Sequence, residues 1–387
     1  MKLLILFLSV TIGFSLALFI SIGFSNYLLE KYNSDVISYL AFIPFVIVIS
    51  ILVYKIGSWT KLNPGVSKPI VESSFSLSLV PGKYILPAKK GWWNWGMAPI
   101  YDETGKLHIF NSSIPYKGEH GMDYWQSKSI INHYVADSVE GPYELVGTAF
   151  SSNQQTYHNP QISKVGDTYV LVYLWKSIDP NSLQSIGMAT SKSLNGPWKE
   201  NPNNPIIRPI PGTANAAHAS NPTFIIDREG KFRIYYKSIS EESTFREISV
   251  AIADNIEGPY VTHHNNPVIS FKEVGRDIED PYAFFYKDTY YMILEDRLDV
   301  ASVFNGKPSK EPKPGGNRPG LLFQSRDGMQ WQHPEYGYNT DAHYFGKELS
   351  RSERPHILWK DGKPEYLFLA NHGSKEAGFY LKIGDWE

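Results

Sequence analysis

Five acids, Glu279, Asp280, Glu295, Asp296 and Glu353, fall in the last third of this 387-residue chain. Two carboxyl groups are the minimum for acid–base cleavage of a glycosidic bond, one protonated to assist the leaving oxygen and one ionised as base or nucleophile. Crowding in a partly desolvated funnel pushes such pKa values apart and supplies both forms at neutral pH. Asp280 and Glu353 are the expected pair, with Glu279 and Glu295 as substitutes. Lys237 and Arg354 are cations able to hold one of them ionised. Asn94, His158, Asn159, Asn221 and His372 donate to and accept from hydroxyl groups. Trp92, Trp93, Trp95 and Trp125 offer flat apolar faces for stacking, although blade-closure roles suit each equally. Two isolated histidines are more often hydrogen-bonded structural groups than metal ligands, so neither a metal nor another cofactor is expected.

A repeat is what would bring these residues together. A dipeptide ending in Pro, followed by an apolar strand, a turn and a second strand, occurs five times, at Pro99, Pro160, Pro222, Pro281 and Pro355. The spacings are 61, 62, 59 and 74 residues. A Gly-Pro-aromatic ending travels with it at Gly141-Pro142-Tyr143, Gly196-Pro197-Trp198 and Gly258-Pro259-Tyr260, with a degenerate copy around Gly328 and Trp331. Each unit reads as strand, turn, strand, loop, strand, Gly-Pro turn and aromatic strand, which describes a propeller blade.

Rotational symmetry would then set equivalent positions at one height around an axis. The residues before each Pro are Ala98, Asn159, Asn221, Asp280 and Arg354, and one place earlier stand Met97, His158, Ser220, Glu279 and Glu353. Proline should hold each preceding residue in extended geometry. The Pro, Gly and aromatic positions repeat while these columns diverge, as one asymmetric site on a symmetric scaffold requires.

Composition excludes several alternatives. A net charge of −2, without a Lys/Arg cluster, gives no footprint for nucleic acid. The chain has no cysteine, which removes disulfides, thiolate metal sites and cysteine nucleophiles. Before the repeats, residues 3–29 carry no charge until Glu30, and residues 36–56 are interrupted only by Lys55. Each run is long enough to cross a bilayer. The expected organisation is therefore a transmembrane α-helical hairpin in residues 1–56, a linker over 57–74 and an all-β five-bladed propeller over 75–387. The chain is expected at a membrane, with the side of the propeller left open.

With the openings Trp93-Asn94-Trp95, His158-Asn159-Pro160, Ser220-Asn221-Pro222, Glu279-Asp280-Pro281 and Glu353-Arg354-Pro355, the chain resembles the five-bladed glycoside hydrolases that include family 43. The resemblance covers about residues 75–387. It implies a glycosidase acting on a poly- or oligosaccharide; the alternative is a non-catalytic, membrane-tethered propeller that binds or senses carbohydrate. In family 43 the first blade opens with Asp-Pro, and that Asp is the general base; the matching position here is Ala98. Asn159 stands where the family has an acid that tunes pKa values, and the family's third-blade Glu has no clear counterpart. The usual triad is therefore not carried over.

Overall fold

The computed structural model describes residues 68–87, 91–115, 124–313, 318–346, 351–372 and 376–386. The two N-terminal apolar runs lie outside these residues. Among the described residues, no helix is long and apolar enough to cross a membrane.

The propeller is built from five four-stranded antiparallel sheets. Strand β1 (Leu79–Pro87) belongs to the last blade. Blade one holds β2 (Trp92–Tyr101), β3 (Leu107–Pro115), β4 (Ile130–Ala136) and β5 (Glu144–Phe150). Blade two holds β6 (Gln155–Val165), β7 (Thr168–Ser177), β8 (Ser185–Ser191) and β9 (Lys199–Glu200). Blade three holds β10 (His218–Ile226), β11 (Phe232–Ile239), β12 (Glu247–Ala253) and β13 (Val261–Thr262). Blade four holds β14 (Glu279–Tyr286), β15 (Thr289–Glu295), β16 (Gly320–Ser325) and β17 (Glu335–Tyr338). Blade five holds β18 (Arg351–Lys360), β19 (Lys363–His372) and β20 (Glu376–Ile383), and β1 pairs with β20 as its outer strand. The innermost strands neighbour one another in chain order, and β18 returns against β2, which closes the ring. Full closure leaves no exposed inner edge.

Apolar side chains between blades hold the ring. Phe110 and Ile131 of blade one share a buried cluster with Leu171 and Tyr173 of blade two. Val170 and Val172 of blade two meet Phe224 and Ile234 of blade three in the same way. Residues 70–73, read from the sequence as linker, instead pack on blade four. Ile70 is buried there, and the Ser73 amide donates to the Tyr336 carbonyl.

One detail of the strand openings departs from expectation. In blades two to five the pairing register slips just after His158, Ser220, Glu279 and Glu353. The residue before each proline sits in that bulge with positive φ, 50° at Asn159, 52° at Asn221, 57° at Asp280 and 51° at Arg354. Proline does not hold these residues extended, because the bulge imposes the left-handed turn. Asn and Asp tolerate that region, whereas Arg354 does so at a cost of about 1 kcal/mol.

In blade one the bulge falls at Gly96, φ +64°, between Trp95 and Met97. The true equivalent of Asn159, Asn221, Asp280 and Arg354 is therefore Gly96. Ala98 is a fully buried core residue paired with Phe110. Aligning on Pro99 displaces the blade-one column by two residues. Neither Gly96 nor Ala98 supplies a carboxylate.

Candidate active site at the propeller axis

The bulge turns four side chains inward, and they close a ring around the axis. Asn159 Nδ2 donates to Asn221 Oδ1 at 2.9 Å, and Asn221 Nδ2 donates to Asp280 Oδ1 at 2.5 Å. The Arg354 amide donates to Asp280 Oδ2 at 3.2 Å, and Arg354 NH2 returns to the Asn159 carbonyl at 3.2 Å. Gly96 completes the circle by having no side chain. A Cβ there would stand 3.3 Å from Asn159 Oδ1 and 3.8 Å from Arg354 Cγ.

Above this ring opens a polar cavity of about 370 Å³. Its wall differs by side. Blades one and two contribute Trp95, Trp125, His158 and Leu174, and the Trp125 and His158 rings stack 4.8 Å apart. Blades three to five contribute Lys237, Arg246, Glu279, Asp280, Arg297, Arg351 and Glu353. Aromatic rings set among dense polar groups suit a sugar ring, whose two faces are apolar and whose rim is hydroxylated.

The carboxyl groups hold their protons unequally. Glu279 Oε1 is 2.5 Å from Lys237 Nζ, while its Oε2 is 3.0 Å from Arg246 Nε and 3.2 Å from Arg297 Nε. Burial alone would raise its pKa, but these three cations outweigh burial and hold it ionised, well below the usual carboxylate range. Glu279 is thus a strongly held anion and a weak base.

Asp280, Glu295 and Glu353 behave differently. All three are buried, and each offers an oxygen within 4.8 Å of the others. Burial and then Arg351 act on Glu353 in opposite directions, burial wins with help from Asp280 and Glu279, and its pKa is pushed up to about 8. Three buried carboxyl oxygens this close together cannot all be ionised without a large cost, so the trio retains a proton. Burial and then Glu353 drive Glu295 well above its ordinary value, and its Oε1 has no hydrogen-bond partner among the described residues. Burial also raises Asp280, against the pull of Arg354. Asp280 accepts from Asn221 and from the Arg354 amide, so it is the member of the trio best placed to carry a negative charge.

The remaining sequence candidates divide. Asn159, Asn221 and Arg354 form the ring, and Lys237 pairs with Glu279. His158 lines the cavity with its Nδ1 2.9 Å from Ser129 Oγ, and burial, then Arg354 and Lys237, keep it neutral. Asn94 turns into blade one, where its Oδ1 accepts from Asn111 and Ser113, and it does not line the cavity. Of the four tryptophans, Trp95 and Trp125 reach the cavity and Trp92 and Trp93 do not. The His372 backbone ends β19 opposite Arg351, and its side chain lies outside the described set. Asp296 caps a short helix, accepting from the Val300 and Ala301 amides, and takes no place in the cavity wall. Among the described residues, the trio is the group of donors that could hold a cation.

Sequence reasoning missed Arg246, Arg297, Arg351, His218, Gln126 and Gln184, all of which line the cavity. One carried a signal. Arg351 stands two residues from Glu353 in β18, so strand alternation puts the two on the same side.

Comparison with known proteins agrees with the architecture. No protein-family model matches the chain. An extracellular endo-α-(1→5)-L-arabinanase of Bacillus subtilis is 25% identical over 171 residues, 39% of this chain and 31% of the arabinanase. The match thus spans about a third of that relative's length. A family 117 glycoside hydrolase from the marine bacterium Zobellia galactanivorans superposes with a TM-score of 0.58 at 15% identity, covering 80% of this chain and 92% of that one. A family 43 subfamily 1 enzyme from Xanthomonas citri gives a TM-score of 0.50 at 12% identity, covering 80% and 91%. The chain has the five-bladed fold of these glycoside hydrolases. At such identities the likeness concerns the scaffold, and the chemistry must be argued from the cavity.

Proposed function

We propose that the chain is a glycosidase that cleaves a poly- or oligosaccharide in the cavity at the propeller axis. The observation that carries this reading is the buried carboxyl trio, of which Asp280 and Glu353 line a cavity of about 370 Å³ together with Trp95 and Trp125. Glu353, protonated at neutral pH, acts as general acid toward the leaving oxygen. Asp280 is its ionised partner. Glu279 is assigned an anchoring role because three cations occupy it. The likeness to the arabinanase and to the two hydrolase propellers supports the same class of activity.

The N-terminal runs, 3–29 and 36–56, are proposed as a transmembrane hairpin joined to the propeller by the segment after residue 56. Their length and the presence of a single charge, Lys55, support this. A membrane location follows from the same reading.

The test is a glycan panel assayed with the full chain and with Glu353→Gln and Asp280→Asn. Turnover lost in both variants, with binding retained, is expected. Unchanged turnover in both removes the site assignment, and binding without cleavage in the unaltered chain favours the carbohydrate-binding alternative.

A further inference from the structure

The cationic half of the cavity is larger than the proposed chemistry requires. Lys237, Arg246 and Arg297 surround Glu279, and the two arginines also reach Asp277. Arg297 NH1 reaches both Asp277 oxygens, at 3.0 and 2.8 Å, and Arg246 NH1 lies 3.6 Å from Asp277. Three cations therefore face two carboxyl groups. Arg351 and Arg354 face the trio, at 2.7 Å from Glu353 and 3.5 Å from Asp280 respectively. Three buried carboxyl oxygens within 4.8 Å of one another cannot all be ionised, so these five cations face at most four ionised carboxylates. Each further proton the trio keeps leaves another positive charge uncompensated.

The two cavity histidines respond to this field. His218 lines the same wall, and burial, then Lys237 and Arg246, push it down to about 3. His158 is also held neutral, by burial, then Arg354 and Lys237. The guanidinium groups are accessible from the cavity, with side-chain exposures of 23% for Arg246, 15% for Arg297 and 31% for Arg351. A neutral sugar would leave this excess charge partly desolvated and unmatched, an arrangement that costs free energy.

We propose that the sugar bound in this cavity carries its own negative charge, a uronate carboxylate or a sulfate ester, received by Arg246, Arg297 and Arg351. Arginine suits the role because its planar fork binds either oxyanion through two parallel hydrogen bonds. This rests on the carbohydrate reading of the cavity and adds the class of sugar. The aromatic wall of Trp95 and Trp125 takes the ring face, and the arginine wall takes the charged substituent.

The test is calorimetric titration of the full chain with three charged probes, D-galacturonate, D-glucuronate and galactose 6-sulfate, against neutral galactose and glucose. At least tenfold tighter binding of a charged sugar than its neutral parent is expected at pH 7, and the responding arm separates carboxylate from sulfate. The preference should shrink above pH 8, where Glu353 loses its proton and compensates the field. Arg297→Gln and Arg351→Gln should each lower the ratio of charged-sugar to neutral-sugar affinity about tenfold. Equal affinity for charged and neutral sugars, no binding in any charged arm, or a full preference in both variants would overturn the proposal. A charged sugar bound by a chain that cleaves no glycan would sink the glycosidase reading alone. Cleavage of neutral glycans without charge preference would sink this inference alone.

Discussion

The five innermost strands start at one cavity and finish at another, and the two ends use opposite materials. At the starting end, His158, Asn159, Asn221, Glu279, Asp280 and Glu353 surround about 370 Å³ of polar space. At the finishing end, Ile100, Ile162, Ile225, Phe284, Ile357 and neighbours line a funnel of about 530 Å³. The larger cavity is the chemically poorer one. The bulge before each second turn of strand pairing divides them, since it turns one polar residue per blade onto the axis and returns the next residues to regular alternation. Beyond it, the strands serve packing. Before it, each blade is free to carry a different group, because a residue at the strand mouth is not required to fill the core.

The comparison can be broken most sharply by single substitutions at each end. Glu353→Gln should lower kcat by about 10³-fold, the worth of a general acid, with little change in melting temperature. A fall of less than tenfold would move the acid elsewhere. The pH profile comes next. Glu353 is protonated below about pH 8 and ionised above it, so kcat/KM should fall about tenfold per pH unit on the alkaline side. The same raised pKa means the folded state binds more protons than the unfolded state between about pH 4.5 and 8, so this group's contribution to stability declines as pH rises through that window. A rate that climbs through pH 9 would contradict the assignment.

At the other end, Ile357 is almost fully buried and packs in a cluster with Tyr282, Phe284 and Leu367. Ile357→Ala should cost about 2–5 kcal/mol in denaturant unfolding and leave kcat of the folded protein unchanged. Loss of kcat without loss of stability would show that the two ends are coupled. The smallest effect is expected at the divide. Gly96→Ala places a Cβ against Asn159 at φ +64° and should lower stability by about 1 kcal/mol, read as a shift in unfolding midpoint. No shift would mean that the ring yields without cost.

The propeller was legible because its signal is redundant. Five prolines, three Gly-Pro turns and alternating apolar strands each report the same unit, so a degenerate copy such as Gly328–Trp331 does no harm. The site was legible only where it shares that repeat. Asn159, Asn221, Asp280, Glu353 and Arg354 were found by reading down a column, and the column misled in blade one. There the bulge residue, Gly96, stands three places before Pro99 rather than immediately before a proline, and Ala98 goes to the core. Asn94 misled for a related reason: its neighbours Asn111 and Ser113 belong to its own blade and occupy its carboxamide oxygen.

The amino-acid order alone determined the number of blades, their strands and the residues at each mouth, since turn chemistry and alternation act between near neighbours in the chain. Tertiary structure alone decided which carboxyls keep their protons and which sign of charge prevails in the cavity. Those properties depend on burial and on distances between groups far apart in sequence, as between Arg354 and Asn159, 195 residues away along the chain and 3.2 Å away in space. Local sequence carries no record of such separations, and electrostatic energy depends on little else.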